Sequence, residues 1–366
     1  MAGTGEAGRQ GFRTLPSPRG ADGMELIELV VTQPGTTLRV RRGLFRVERG
    51  EEVNEVSPLR VRSLVLAAPA RLTTDVLRRA LEHNIDVLVL DRRGTPIGRF
   101  WTPSPGATAT LRRRQLQAAE APLGRRIARD IVVKKLEAQA EYLRELARRR
   151  KDPAELLAGA EFVRSYALRA RSTDRPDLAG LMATLRGYEG TASRRYFSVL
   201  NELLPRRWRF ATRSRRPAND GFNALLNYAY GVLRGKTERA VLLAGLDPYL
   251  GFVHADSAAP TLVLDLLELV RTEADRAVVG LFTRRRVKEA HFERGAGEVR
   301  LSREGKRVLL EALGARLDRR MEVRGRKIRR EDSLQLHAHA LAKKLREWDP
   351  TASGDDPPGD GEGFLC

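Results

Sequence analysis

The sequence predicts an α+β protein in which a small, mostly-β N-terminal domain precedes a larger all-α helical domain. Three observations support this fold class. Short apolar runs separated by turn residues fill the chain up to about residue 101. A segment with two prolines and a glycine, residues 102–106, then interrupts any strand or helix, and afterwards apolar residues recur every three or four positions.

A length of 366 residues suits two domains, and five segments are expected along the chain. Residues 1–23 and 349–366 have little to bury and are predicted to be a disordered extension and a disordered acidic tail. The remaining boundaries place the β domain at 24–101, a linker at 102–107 and the helical domain at 108–348.

The β domain is predicted from runs rich in Val, Leu and Phe, with turn signals such as Pro34-Gly35 between them. The predicted strands lie within 25–31, 37–49 and 59–68, and a further strand is predicted at 86–91. One helix precedes that last strand, behind Thr73 or Thr74 as its cap. Its apolar face comprises Val76, Leu77, Ala80 and Leu81.

Helical periodicity dominates the second domain. Apolar residues recur at helical spacing, among many Arg and Lys residues, at 111–150, 153–171, 175–186, 217–235 and 260–276. We therefore expect a helical bundle.

The single cysteine, Cys366, excludes an intramolecular disulfide and a cysteine metal cage. The first 23 residues contain no apolar signal segment, and no stretch approaches the roughly 18 apolar residues of a membrane span. We expect a soluble, cytoplasmic protein that has no membrane partner.

Two acids interrupt the almost entirely apolar segment from Pro260 to Arg271. Asp265 and Glu268 are three residues apart, which places them on one helix face. A carboxylate buried there requires a cation opposite, since an unpaired buried charge is costly. That cation could be Arg271, another arginine or a divalent metal ion.

Two further residues are weak signals when taken alone. His254 ends a turn-rich segment just before the acidic helix, but a lone histidine is usually a surface or packing residue. Glu189 lies between Gly187 and Gly190, which could allow a substrate to approach or could simply mark a helix start. His337 and His339 form a His-x-His pair near acids, which is more typical of a helix surface than of a metal site.

Three blocks taken together resemble the CRISPR-associated endonuclease family that catalyses spacer integration. They are 187–197 (GYEGTASRRYF), 215–230 (RRPANDGFNALLNYAY) and 245–271, which runs from GLDP through His254 to LDLLELVR. The resemblance covers about residues 24–346. It departs from the family at Ala218, where members often carry a second proline after Pro217, and in both tails.

The resemblance implies that Glu189, His254 and Glu268 are the metal ligands and that Asp265 is an assisting catalytic acid. Two carboxylates and one imidazole suit Mn²⁺ or Mg²⁺, and the imidazole favours Mn²⁺ slightly. An ion of this kind stabilises the charge of a phosphodiester transition state. Attack by water cleaves DNA, whereas attack by a DNA 3′-hydroxyl joins strands.

The family implies that joining is the physiological reaction: 3′ ends of captured foreign DNA fragments (spacers) attack phosphodiesters of a CRISPR array. The implied partners are double-stranded DNA, as captured fragment and as CRISPR repeat, and a small ferredoxin-like companion Cas protein. The family also implies a homodimer formed through the β domains.

A net charge of +20 favours a polyanionic partner, although a basic composition can also serve solubility alone. Arginines between the first proposed ligand and the rest of the site are predicted to contact DNA phosphates. They are Arg206, Arg209, Arg213, Arg215 and Arg216. Two alternatives stay open: a nuclease of branched DNA or repair intermediates that never integrates, and a catalytically silent DNA-binding scaffold.

Overall fold

The chain divides between Ala107 and Thr108 into two units, each with its own hydrophobic core. The computed structural model describes residues 12–16, 27–90, 96–100, 107–175, 177–214, 217–254, 259–295, 297–323 and 325–350. A β unit followed by a helical unit confirms the predicted fold class. Residues 351–366 of the predicted acidic tail and residues 102–106 of the predicted linker lie outside the described residues.

The first unit contains nine described strands and one described α-helix. The strands are β1 Phe12–Pro16, β2 Ile27–Val31, β3 Thr36–Arg41, β4 Leu44–Arg49, β5 Glu52–Val56, β6 Val61–Leu66, β7 Ala70–Leu72, β8 Asp86–Leu90 and β9 Pro96–Phe100. The helix, α1, spans Thr74–Glu82. Its predicted apolar face does turn inward: Val76 and Ala80 are fully buried, and Leu77 packs against the same core.

The strands form two sheets. One has the order β1-β2-β6-β8-β9, with parallel pairing of β2 to β6 and of β6 to β8. The other has the order β5-β4-β3-β7. The core includes Leu38 and Phe45 from the second sheet and Leu64 and Val87 from the first.

Strand β1 corrects part of the expectation for residues 1–23, which were predicted to be disordered. Residues 12–16 pair antiparallel with β2, Phe12 opposite Val31 and Pro16 opposite Ile27. An unpaired β2 would leave a row of backbone groups open at the sheet edge. Backbone pairing thus orders a segment that offers little to bury.

The segment 37–49, predicted as one apolar run, forms the hairpin of β3 and β4. Its two-residue turn is Arg42-Gly43, with φ of 50° and 80°. Positive φ at both turn positions matches the right-handed twist of the flanking strands. The turn lacks the usual Asn-Gly signature, which is why the sequence pattern did not separate the two strands.

The second unit contains nine described α-helices. They are α2 Ala107–Glu120, α3 Pro122–Ala147, α4 Ala154–Ser172, α5 Leu178–Glu202, α6 Gly221–Leu243, α7 Thr261–Glu268, α8 Arg271–Thr283, α9 Arg303–Leu317 and α10 Arg330–Glu347. The predicted helix 111–150 is broken before Pro122, whose missing N–H suits a first helical position.

The helical unit is not entirely helical. Two hairpins, β10 Phe292–Gly295 with β11 Glu298–Leu301 and β12 Arg320–Val323 with β13 Arg326–Arg329, lie between its last helices. Each strand has only four residues, too few for a periodicity of two to be recognised in the sequence.

Helix α3 is the element that connects the parts of the site, because it contacts α4, α5, α7 and α8. Its buried face includes Ile127, Ile131 and Tyr142, spaced for one side of a helix. Lys135 and Gln139 lie four and eight residues after Ile131 on that face, and both are buried. A lysine in this position must find anionic partners.

Candidate metal centre

Lys135 finds two carboxylates. Its Nζ lies 2.6 Å from Oε1 of Glu189 on α5 and 2.6 Å from Oε2 of Glu268 on α7. The two carboxylate oxygens are therefore within twice that distance of each other. Three helices converge here, and the ammonium neutralises acids that would otherwise repel one another.

Glu268 is the last residue of α7, and its side chain is only 9% exposed. Oε1 accepts a hydrogen bond from the Arg271 guanidinium at 2.5 Å. Burial alone would raise the pKa of Glu268, but the attraction of Arg271 and Lys135 outweighs it and lowers the pKa to about 2. This carboxylate is ionised at neutral pH and can bind a cation.

The Arg271 guanidinium is held in turn by an aromatic face. Its central carbon lies 4.2 Å from the ring centroid of Tyr230. The Tyr230 hydroxyl donates to Oδ1 of the buried Asp275 at 2.5 Å, and the Tyr196 hydroxyl donates to Oδ2 at 2.8 Å. This buried network fixes Arg271 and, through it, the direction of Glu268.

Asp265 lies one helical turn before Glu268 and is fully buried. Its Oδ2 accepts hydrogen bonds from the backbone N–H groups of Phe252, at 2.6 Å, and Val253, at 2.9 Å. The approach is close: a Cβ at Gly251 would lie 2.8 Å from Oδ2 of Asp265. Asp265 thereby holds the segment that leads to His254 against α7.

His254 contacts the second oxygen of that carboxylate, with Nδ1 2.7 Å from Oδ1 of Asp265. Because the carboxylate accepts, Nδ1 carries the proton, which leaves Nε2 as the nitrogen with a free lone pair in the neutral ring. The hydrogen bond to Asp265 raises the pKa of His254, against the opposing effect of burial. The side chain is 39% exposed and so remains accessible.

Glu189 lies in the middle of α5 and not at a helix start. Oε1 also accepts from the Ser193 hydroxyl, one turn later, at 3.3 Å. The side chain is 31% exposed. A Cβ at Gly187 would meet nothing within 4 Å, but Gly187 lies on the side of α5 away from Glu189, since residues two apart do not share a helix face.

Two carboxylates and one imidazole are the kind of ligands that a hard divalent cation binds. The Lys135 ammonium, however, lies between the two carboxylates. Across the described ranges, no three His, Cys, Asp or Glu side chains form a ready metal cluster. Oε2 of Glu268 is buried, and the Lys135 ammonium lies 2.6 Å from it. A metal ion that binds this carboxylate oxygen would therefore take the place of the ammonium.

The predicted DNA-contacting arginines differ in their surroundings. Arg206 is exposed and has no side-chain partner among the described residues. Arg209 donates to the backbone carbonyls of Glu202 and Leu204 at the end of α5. Arg215 and Arg216 lie outside the described residues.

Arg213 is directed into the protein. Its guanidinium donates to Oδ1 of Asn223 and Oδ1 of Asn227, each at 2.7 Å, and lies 5.5 Å from the ring centroid of Tyr230. These contacts tie the segment before α6 to the tyrosine that supports Arg271.

The His-x-His pair on α10 does not form a metal cluster with the described acids near it. Glu331 pairs with Lys236 and Asp332 with Arg329, so both carboxylates are already neutralised. Burial lowers the pKa of His337 to about 4, which keeps that ring neutral.

Sequence reasoning missed Lys135 and the Tyr230–Asp275 network. A signal for Lys135 existed, since this lysine interrupts the apolar face of α3 in phase with Ile131. No comparable signal marked Tyr230 or Asp275, because a tyrosine and an acid on amphipathic helices are ordinary in sequence.

Comparison with protein families matches residues 29–314 to the model described as CRISPR associated protein Cas1. A curated relative, CRISPR-associated endonuclease Cas1 1 of Archaeoglobus fulgidus, is 32% identical over 87% of this chain and 96% of its own length. Within the described ranges, no helix has the length and apolar character to span a bilayer.

Two solved structures are similar in fold. One, described as a casposase bound to integration product, has a TM-score of 0.70 at 20% identity and covers 89% of this chain and 98% of its own. The other, described as a partial Cas6-RT-Cas1–Cas2 complex, has a TM-score of 0.70 at 22% identity over 88% of this chain and 96% of its own.

Proposed function

Because the chain belongs to the Cas1 family of CRISPR-associated proteins, we propose that it is a metal-dependent DNA endonuclease and integrase. It inserts captured foreign DNA fragments into a CRISPR array, by attack of a fragment's 3′-hydroxyl on a phosphodiester of the repeat. The name of the Archaeoglobus fulgidus relative supports the endonuclease activity, and the resemblance of the three sequence blocks supports integration.

One observation carries the assignment of the site. Glu189 and Glu268 approach a single cation, Lys135 Nζ, from two helices, and Asp265 orients the nearby His254 so that Nε2 is free. Two carboxylates that already hold the positive charge of a lysine between them can hold a metal ion in its place. We propose Glu189, His254 and Glu268 as the metal ligands.

Each residue has a distinct task in this proposal. Asp265 fixes the imidazole tautomer and direction, Arg271 fixes the Glu268 carboxylate, and Lys135 compensates the two acids when no ion is bound. Held by Glu189, His254 and Glu268, Mn²⁺ or Mg²⁺ would supply electrostatic stabilisation of the charge that develops on the phosphate. The Glu189 side chain is 31% exposed, which leaves it accessible to a DNA strand.

The proposed partners are double-stranded DNA, as captured fragment and as repeat, a second copy of this chain joined through the β domains, and a small ferredoxin-like companion Cas protein. The description of the similar partial Cas6-RT-Cas1–Cas2 complex supports a Cas partner. We propose that the protein acts in the cytoplasm, where a CRISPR array is available to it.

We propose phosphate contacts for Arg206, Arg215 and Arg216. Arg206 supports this role because its exposed side chain has no partner among the described residues. The contacts of Arg209 and Arg213 favour a structural contribution, which holds the segment between α5 and α6 in place.

The experiment that tests the reaction uses a labelled donor duplex and a plasmid that carries a CRISPR repeat, in Mn²⁺. The wild-type protein is expected to link the label covalently to the plasmid. A matched donor that ends in a 3′-dideoxynucleotide should abolish linkage, because the attacking hydroxyl is missing, while cleavage persists. Cleavage without linkage from either donor would identify a nuclease that does not integrate, and neither activity would identify a silent scaffold.

A further inference from the structure

A cavity of about 800 Å³ opens in the helical unit where the C-terminal ends of α3, α8 and α9 meet. None of the four proposed site residues lines it. Three acids contribute to its wall, but the basic side chains outnumber them.

Each of the three acids already has a partner. Glu145 pairs with Arg276 at 2.5 Å, and Glu311 pairs with Arg307. Asp152 accepts from the first backbone N–H of α4. Six basic side chains of the wall have no ion-pair or hydrogen-bond partner among the described residues: Arg149, Arg150, Lys151, Arg284, Arg286 and Arg319.

Backbone strain marks the end of α8 at the same place. Arg285 has a φ of 57°, and the N–H groups of Arg285 and Arg286 bond to the carbonyls of Phe282 and Leu281. This is the helix-ending motif in which glycine is the favoured residue with positive φ. An arginine in that position is strained, yet it sits between the two arginines that face the cavity.

Favourable interaction with helix C-termini explains a basic residue at the end of each helix. It does not explain why six exposed basic side chains line one concavity without an acid among the described residues to pair with, since like charges repel one another. An anion with several oxygens in a row would offset that repulsion.

We propose that this cavity binds the phosphodiester backbone of DNA at a point beyond the bonds that react. Along α3, Ala147 lies twelve residues after Lys135, which is about 18 Å at the rise of a helix. That length corresponds to about five base pairs. A DNA strand with its reacting phosphate near Glu189 and Glu268 can therefore reach the cavity. Such contacts position DNA without reading its sequence. This inference rests on the proposed function.

The test measures binding of a fluorescent duplex in EDTA at a series of salt concentrations, so that no reaction contributes. The double variant Arg284→Gln/Arg286→Gln is compared with Arg285→Gln/Arg303→Gln, which removes the same charge from exposed positions that do not line the cavity. For the first variant, the slope of log affinity against log salt should become shallower by about 1.8, roughly 0.9 for each phosphate that is no longer neutralised. Its affinity near 0.1 M salt should fall about tenfold or more.

Equal slopes for the two double variants would overturn the inference, because the effect would then be one of general charge. Circular dichroism and melting temperatures of both variants exclude misfolding as the cause. The proposed function fails separately: if the slope changes as expected but wild type neither cuts nor joins DNA, the cavity assignment stands without the reaction. If wild type joins DNA and the slope is unchanged, only the cavity assignment falls.

Discussion

The ammonium of Lys135 lies 2.6 Å from Oε2 of Glu268, inside the helical unit. The same ammonium reaches Glu189 at an equal distance, so one buried lysine holds the two carboxylates that we propose as metal ligands. A buried pair of this kind is costly to break from one side, because a charge is left without its partner. A metal ion that enters the site competes with this lysine.

We predict that Lys135→Met destabilises the metal-free protein by about 3 kcal/mol, since Glu189 and Glu268 then lack their shared counter-ion. Bound Mn²⁺ replaces the missing charge and restores much of that loss, as expected for any ligand of the native state. The difference in melting temperature between Mn²⁺ and EDTA should therefore be larger in the variant than in wild type.

The matched control for this substitution is Lys134→Met, one residue earlier and therefore on a different side of the same helix. Its Mn²⁺-dependent change in melting temperature should equal that of wild type. If Lys135→Met also matched wild type, the lysine and the metal would not share a site.

Asp265→Asn should change the tautomer of His254. The carboxylate accepts from three donors: two backbone N–H groups on Oδ2 and Nδ1 of His254 on Oδ1. An asparagine that accepts the backbone bonds with its oxygen turns its NH₂ toward Nδ1, which moves the ring proton to Nε2. We expect Mn²⁺ affinity to fall by about 10- to 100-fold. Nitrogen chemical shifts of His254 report the tautomer, and an unchanged tautomer with unchanged affinity would refute this role.

Gly251→Ala and Gly187→Ala should have opposite effects on stability. A Cβ at Gly251 would lie 2.8 Å from both Oδ2 of Asp265 and the Thr261 backbone, so alanine should cost about 1–3 kcal/mol. A Cβ at Gly187 meets nothing within 4 Å and lies inside α5, so alanine there should stabilise by about 0.5–1 kcal/mol. Urea unfolding of both variants measures the difference. Destabilisation of equal size at both positions would contradict the close packing at Gly251.

The ion pairs of Glu268 should make stability depend on acid pH. Its pKa is lowered to about 2 in the folded protein, from 4.5, so its contribution is fully present above pH 4.5 and is lost as the pH falls toward 2. The contribution is about 3 kcal/mol. In EDTA, the unfolding free energies of wild type and Glu268→Gln should differ most above pH 4.5 and converge near pH 2. A constant difference across this range would show that the ionised carboxylate is not the cause.

The order of the two domains could be predicted because periodicities of two and of three to four residues differ clearly over long segments. The cation opposite Asp265 and Glu268 was also expected, with an arginine and a metal ion as the alternatives. Arg271 does contact Glu268, as that reasoning allowed. Lys135 could not be paired with Glu189 from sequence, since they are 54 residues apart on different helices.

Short hairpins and buried polar networks lay beyond the sequence patterns for a similar reason. The strands β10 to β13 are too short to show a period, and the bonds from Tyr196 and Tyr230 to Asp275 join three helices. Such contacts depend on how helices pack, which local residue patterns do not encode.

The most direct test of the metal site is Mn²⁺-dependent cleavage and strand transfer by the wild type and by Glu189→Ala, His254→Ala and Glu268→Ala, with the exposed Glu293→Ala as control. Each of the first three substitutions should abolish both reactions while DNA binding and the fold persist, and the control should retain both. If activity survives in all three variants, Glu189, His254 and Glu268 do not hold the catalytic metal.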